Sequence, residues 1–294
     1  MDSFHAQSVT NSLAEILASL CYLKRDPLYL IDKPYVCLID VSGISDAAAT
    51  NIVPTDVPNI PIRDVRMLTQ TGQPLLTRQG FEVALLNPRP DPKRFADKEW
   101  VTGDFYTHAR EIVLEKTGAR DARVFEHQVR YRHPGFGRAD LCGSPGLDVP
   151  VNQVHADQTS AAGWARLKTL WPEVVSDQVG TGNRFGIVNL WIPLVEKVTE
   201  WPLALCDSRT VRHDRDFQSS DVVRADRIGE SYMAYHHPEH SWYFLSEQAG
   251  DEAWVFMSWD SDPDAPQHVL HTAFDTGPGE VPRMSCEFRV FIRY

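Results

Sequence analysis

The sequence predicts a mainly β fold, a sandwich, jelly roll or closed barrel with flanking helices. Three observations carry this reading. From residue 122 onward, seven or eight short segments rich in β-branched and aromatic residues follow one another, most of them bounded by Pro, Gly or Asp. Strands do not alternate with helices as they would in a doubly wound sheet. No Gly-rich dinucleotide or Walker-type loop occurs, so a nucleotide cofactor has no visible cradle.

Taken in order, residues 9–24 carry Leu13, Ile16, Leu17, Leu20 and Leu23 at helical spacing, with Thr10 or Asn11 as cap. YVCLIDV (35–41) and IPIRDVR (60–66) read as short strands separated by a Pro- and Asn-containing loop. Residues 98–117 read as a helix ended by Gly118, a residue type suited to a left-handed cap. The expected strands are then 122–133, 184–194, 203–211, 230–237, 241–246, 253–260, 268–275 and 283–294, with one helix, 164–175, among them. No repeat and no Gly/Ser linker divides the chain. The expectation is a single catalytic domain over 1–294, with an N-terminal extension (1–121) and a β core (122–294).

The 294 residues are 43% hydrophobic, enough for a full core, and carry a net charge of −11. Such a surface repels a phosphate backbone, so no nucleic-acid partner is expected. No run of 18 apolar residues exists, so no membrane span is expected. The N-terminus lacks the basic region of a signal peptide, its first Lys or Arg being Lys24. Five cysteines are widely spread with no CxxC pair, which points to a reduced, cytoplasmic chain.

The chemistry concentrates late. His155-Ala156-Asp157 places an imidazole and a carboxylate on the same side of a strand end. A distant second His would complete a 2-His-1-carboxylate facial triad, which leaves positions on Fe(II) for a cosubstrate and O2. His271, in the strand HVLHTAFD, is the best third ligand; His268 points to the opposite face by alternation. By itself the triplet is weak evidence and reads as a His and an Asp in a polar loop. Arg283 and Ser285 share a strand face, and a guanidinium with a neighbouring hydroxyl suits the far carboxylate of 2-oxoglutarate. Arg289 lies on that face too and could pair with Glu287 or meet substrate. The alternative is an outward structural Arg–Glu pair. His236, His237, Glu239 and His240 compete as a metal cluster, but Pro238 and the polar flanks suggest a solvated turn.

The motifs VHADQT, NLWIPL, WPLALCDSRTV, GESYMAYHHPEHSWYFLSEQAGDEAWVFMSWDS, HTAFD and RMSCEFR, in that order, resemble a fungal and bacterial family of hydroxylase/desaturase proteins from secondary-metabolite clusters. That family includes relatives of gibberellin desaturase and of a cephem-methoxylase subunit. With KPYVCLID, RDVR, QGFEVALL and ARVFEHQVR the resemblance covers about residues 30–294. It implies a double-stranded β-helix (jelly-roll, cupin-like) core with N-terminal helical decoration, and Fe(II), 2-oxoglutarate and O2 as cofactor and cosubstrates. Position by position it implies His155, Asp157 and His271 as metal ligands and Arg283 and Ser285 as the cosubstrate anchor. Asn189 and Trp191 in NLWIPL would lie near the site. Where the family carries a basic residue, VFMSWDS has Met257 and Trp259, implying a different or more apolar small-molecule substrate if that position faces it. Two other classes stay open at this point: a metal-dependent hydrolase or isomerase on the same barrel, and a non-catalytic accessory subunit. An exposed N-terminal helix would support a homodimer.

Overall fold

The computed structural model describes residues 14–69, 72–132, 149–176 and 183–294. Thr10, Asn11, Leu13 and Cys142 therefore lie outside the described residues. In chain order the strands and helices are β1 (Glu15–Leu23), β2 (Tyr35–Cys37), β3 (Pro54–Asp64), β4 (Phe81–Leu85), α1 (Lys98–Trp100), α2 (Tyr106–Thr117), β5 (Asp121–Tyr131), β6 (His155–Ala156), α3 (Ser160–Leu170), α4 (Pro172–Ser176), β7 (Phe185–Pro193), β8 (Leu203–Cys206), α5 (His213–Asp216), β9 (Phe217–Val223), β10 (Ile228–Ala234), β11 (Trp242–Phe244), β12 (Glu252–Asp260), β13 (His271–Ala273) and β14 (Met284–Arg293).

The first element corrects the sequence reading. Residues 15–23 form a strand, not the helix expected over 9–24. Ala18, Leu20 and Tyr22 alternate into a buried cluster, while Leu17, which the helical reading placed on the apolar face, is 66% exposed. A period of two was superimposed on a period near four, and antiparallel pairing with β3 decides between them. The helix on which the homodimer expectation rested is thus absent from residues 15–23. β3 also reaches further back than expected, starting at Pro54. The register slips between Ala18 and Leu20, opposite Pro58 and Asn59, and Asn59 has φ of 58°. A bulge is where a strand accommodates proline and a left-handed residue.

The helix expected over 98–117 is present but interrupted. Val101–Phe105 is a π turn between α1 and α2. Trp100 and Phe105, five residues apart, would diverge on an α-helix; the wider turn brings both rings onto Phe95. Gly118 ends α2 in the left-handed conformation, with its N–H on Leu114 O at 3.0 Å.

The strands form two sheets. One has nine strands in the order β1-β3-β11-β8-β13-β6-β10-β9-β2, and the other five, β4-β12-β7-β14-β5. The N-terminal segment supplies strands to both sheets and does not stand apart from the core. The nine-stranded sheet curls until Val154 donates its N–H to Cys21 O on β1. Tyr22, Ile62, Cys206, Trp242 and Phe274 fill the inside of that curl. The opposite face of this sheet turns Leu203, Leu205 and Tyr243 toward Trp191, Trp254 and Phe256 of the five-stranded sheet.

Alternation along β14 organises the space between the sheets. Cys286, Phe288, Val290 and Ile292 are fully buried. Phe288, Val290 and Ile292 pack with Val188 and Leu190 of β7 and with Ile112 and Val113 of α2, behind the sheet. Ser285, Glu287 and Arg289 are equally buried but point the other way. Phe291, next on that inner face, joins Phe185, Ile187 and Trp259 with Leu167 of α3, Val174 of α4 and Trp171 between the two helices, an apolar group that closes one end of the inter-sheet space. The polar stretch of β14 before it is left for chemistry.

Candidate metal centre

Among the described residues, His155, Asp157 and His271 are the one group of His, Cys, Asp and Glu side chains whose ligand atoms converge, all within 4.8 Å of one another. Strand pairing brings them together. His155 on β6 lies opposite His271 on β13, and directly paired residues face the same side. The rings are 4.3 Å apart, and Phe256 of β12 lies 4.9 Å from the His271 ring.

Each imidazole is oriented by the carbonyl two residues before it. His155 Nδ1 lies 2.7 Å from Gln153 O, and His271 Nδ1 lies 3.0 Å from Val269 O. A carbonyl only accepts, so Nδ1 carries a proton in both rings and Nε2 is the atom turned toward Asp157. The two Nε2 atoms lie 3.5 and 3.7 Å from Asp157 Oδ1. Burial, together with the neighbouring His155, pushes the His271 pKa down to about 3, so the ring is neutral and ready to ligate.

The carboxylate of Asp157 divides its work. Oδ1 faces the histidines. Oδ2 accepts from Asn189 Nδ2 at 2.6 Å and from Arg289 Nε at 3.1 Å. Burial alone would raise its pKa, but the charge of Arg289, with smaller contributions from the two imidazoles, holds the group well below the usual carboxylate range. Arg289 also donates to Glu287 at 2.7 Å and reaches Glu126 at 3.5 Å. Glu287 responds in the opposite sense. Burial and the charge of Asp157 raise its pKa against the pull of Arg289.

Arg283 is 2% exposed, yet no carboxylate pairs with its guanidinium among the described residues. Its Nη1 donates to Trp201 O at 2.5 Å and its Nη2 to Ser285 Oγ at 3.4 Å, its Cζ sits 4.9 Å from the Trp191 ring centroid, and Nε has no partner. Burial and Arg130 lower its pKa to about 9, which still leaves it charged at neutral pH. A buried cation with an orphaned donor is costly unless an anion completes it.

The inner face therefore gathers His155, Asp157, His271, Asn189 and Arg289, with Arg283, Ser285 and Trp191 further along. It does not gather Met257 or Trp259. Met257 pairs with Val188 on the outer face, and a bulge separates it from Trp259. Trp259 is spent on α3, where Gly163 and Trp164 pack against its ring. His268 has φ of 51° and joins Ser160, Ser258 O and the Tyr232 ring instead of His271. The cluster at 236–240 is a turn, but His240 is not solvated. It is buried between Tyr22 Oη and Asp216, both at 3.2 Å, because the turn packs its last residue back into the core. Sequence reasoning missed Phe256 as the ring against His271, and Glu126 as the partner of Arg289. Both follow from the register of β5, β7, β12 and β14, which no single segment displays.

Comparison with known proteins agrees with this architecture. The chain is 27% identical over 255 residues to the hydroxylase/desaturase efuI of Hormonema carpetanum, covering 79% of this chain and 82% of that protein. It is 29% identical over 184 residues to the Fe(II)/2-oxoglutarate-dependent dioxygenase nvfI of Aspergillus novofumigatus, covering 62% of each. The structure superposes on that of the iron and alpha-ketoglutarate-dependent endoperoxidase NvfI with a TM-score of 0.81, at 23% identity, over 96% of this chain and 98% of the other. The shared fold is the double-stranded β-helix. Residues 20–293 match the family model described as an oxidoreductase/YMDC permease-like domain, and the chain belongs to that oxidoreductase family.

Proposed function

We propose that this chain is a non-haem Fe(II)/2-oxoglutarate-dependent dioxygenase that oxidises a small secondary-metabolite molecule. The observation that carries the reading is a pair of sites on one face: three converging ligand atoms with both imidazole Nδ1 protons turned away from them, and a buried arginine with no counter-ion among the described residues. Two imidazoles and one carboxylate suit Fe(II) with open positions. The orphaned Nε of Arg283 suits a dicarboxylic cosubstrate.

Iron and 2-oxoglutarate supply oxidation by O2 at a C–H bond when bound. The chain supplies the rest. His155 and His271 present Nε2. Asp157 presents Oδ1, and Asn189 and Arg289 stop its other oxygen from rotating inward. Arg283, braced on Trp201 O and Ser285 Oγ above the Trp191 ring, receives the distal carboxylate of the cosubstrate. Phe256 and the apolar group around Trp259 keep water from that side of the site.

The test is calorimetric titration of 2-oxoglutarate into Mn(II)-loaded protein without O2, beside Arg283→Ala. Micromolar binding that requires the metal and is lost in the variant is expected. An isotherm indifferent to metal, or unchanged by the substitution, would defeat the assignment.

A further inference from the structure

The carbonyl that braces Arg283 belongs to a residue in an unfavourable backbone conformation. Trp201 has φ of 48° and is followed by Pro202. The left-handed region is costly for a side chain of this bulk, and a residue before proline prefers extended backbone. The segment is nevertheless buried and tightly held. The ring of Trp201 packs with Val149 and with Ala273, which stands two residues past His271 on β13. Arg132 lies over the ring, its Cζ 5.2 Å from the centroid. On one side of the turn, a Cβ on Gly279 would come within 2.6 Å of Thr199 Oγ1 and 2.9 Å of Glu200 Cβ. On the other, Pro202 O accepts from the Phe274 N–H at 3.3 Å.

These contacts close on Arg283 from two directions. Glu200 Oε1 accepts the backbone N–H of Arg283 at 3.3 Å and lies 3.7 Å from Arg132 Nε. Arg132 in turn donates its backbone N–H to Arg283 O at 2.8 Å. At the head of the side chain, Trp201 O receives Nη1 at 2.5 Å, much closer than the 3.4 Å bond from Nη2 to Ser285 Oγ. The peptide unit is rigid, so the direction of that carbonyl is set by the backbone angles of Trp201. Backbone strain of this kind persists where the surrounding packing over-determines it, and it clusters at ligand sites.

We propose that Trp201 is a positioning residue for the cosubstrate anchor. Its ring, held by Arg132, Val149 and Ala273, keeps the peptide left-handed, and the left-handed peptide aims the carbonyl that orients the Arg283 guanidinium. Trp201 acts through Arg283 and not by contact with the cosubstrate. This rests on the oxygenase reading, whose wild-type 2-oxoglutarate isotherm is recorded first.

The test sets backbone preference against packing. Dissociation constants for 2-oxoglutarate are measured by calorimetry on Mn(II)-loaded protein without O2, for Trp201→Ala and Trp201→Gly. Both lose the ring, but glycine enters the left-handed region freely and alanine does not. Trp201→Ala should bind 2-oxoglutarate about tenfold more weakly than wild type, the loss expected for one misplaced charge-assisted hydrogen bond. Trp201→Gly should bind it roughly fivefold more tightly than Trp201→Ala. Trp201→Asn and Trp201→Leu form a second pair of similar size. Asparagine tolerates left-handed backbone, whereas leucine refills an apolar cluster better, so the asparagine variant should bind more tightly. Mn(II) affinity without 2-oxoglutarate should be equal within each pair. A residue that served packing alone would reverse both orders, with alanine above glycine and leucine above asparagine. That reversal, or equal 2-oxoglutarate affinities within a pair, would overturn the proposal. So would a difference in Mn(II) affinity that parallels the 2-oxoglutarate difference, because the effect would then lie at the metal. No 2-oxoglutarate binding by the wild type would remove the oxygenase reading and this proposal with it. Either pair decides the matter if a member of the other fails to fold.

Discussion

At the scale of single residues, the site is built on hydrogen bonds that settle which atom faces inward. Two backbone carbonyls fix the imidazole protons, and Asn189 with Arg289 fixes the carboxylate. Arg289→Met keeps the length of the side chain but leaves Oδ2 of Asp157 with one donor fewer and Glu287 without its cation. Loss of such an outer partner weakens metal binding by roughly 10–100-fold. Mn(II) affinity measured by titration should fall by that factor while the far-ultraviolet circular dichroism stays unchanged; unaltered affinity would make Arg289 a bystander. The side chains that converge were legible as candidates in the sequence because H-x-D and a later His are short-range patterns. Their supporting residues were less so. Asn189 and Arg289 could be named as neighbours, but that both reach the same oxygen of Asp157 depends on β7 and β14 being paired in one particular register.

At the scale of elements, helix α3 and the bulged strand β12 meet through a glycine. A Cβ on Gly163 would lie 2.5 Å from Trp259 Cδ2 and 2.8 Å from two further ring atoms, and the ring is fully buried. Gly163→Ala should therefore cost about 1–3 kcal/mol in denaturant unfolding, the range for overpacking a filled core. Gly103→Ala, where nothing lies within 4 Å, should leave stability unchanged or slightly higher. The other sensitive junction is Asp216 at the end of α5, which holds Arg215, the Arg212 N–H and His240. Burial opposes its ionisation, but those three donors outweigh it and bring its pKa down to about 2. A carboxyl with a depressed folded-state pKa stabilises the fold above its unfolded value near 4, and that contribution disappears as pH falls toward 2. Denaturant midpoints of wild type and Asp216→Asn should thus differ most at pH 5 and above and converge below pH 3. A gap that is constant across this window would show that the charge of Asp216 is irrelevant.

At the scale of the whole molecule, the β-rich texture after residue 122 predicted the two-sheet architecture well, because β-branched and aromatic runs between turn residues are a local signal. The N-terminal part was harder. The apolar residues of 15–23 satisfy both a helical and an alternating spacing, and only the partner strand β3 selects between them. The sequence shows that partner as a strand only from Ile60, because Pro54 and Pro58 obscure its first half. No helix among the described residues is long and apolar enough to cross a membrane, and no disulfide joins the four described cysteines. The alternation of β14 has one more consequence. From Ser285 to Val290 its even positions are oil and its odd positions are polar, so core and candidate site share a reading frame of two. Deleting one residue between Arg283 and Arg289 would drive arginine and glutamate into the helix-packed layer and turn phenylalanine toward His155, Asp157 and His271. Substitutions in this strand can be accommodated one at a time, but its length can change only in pairs.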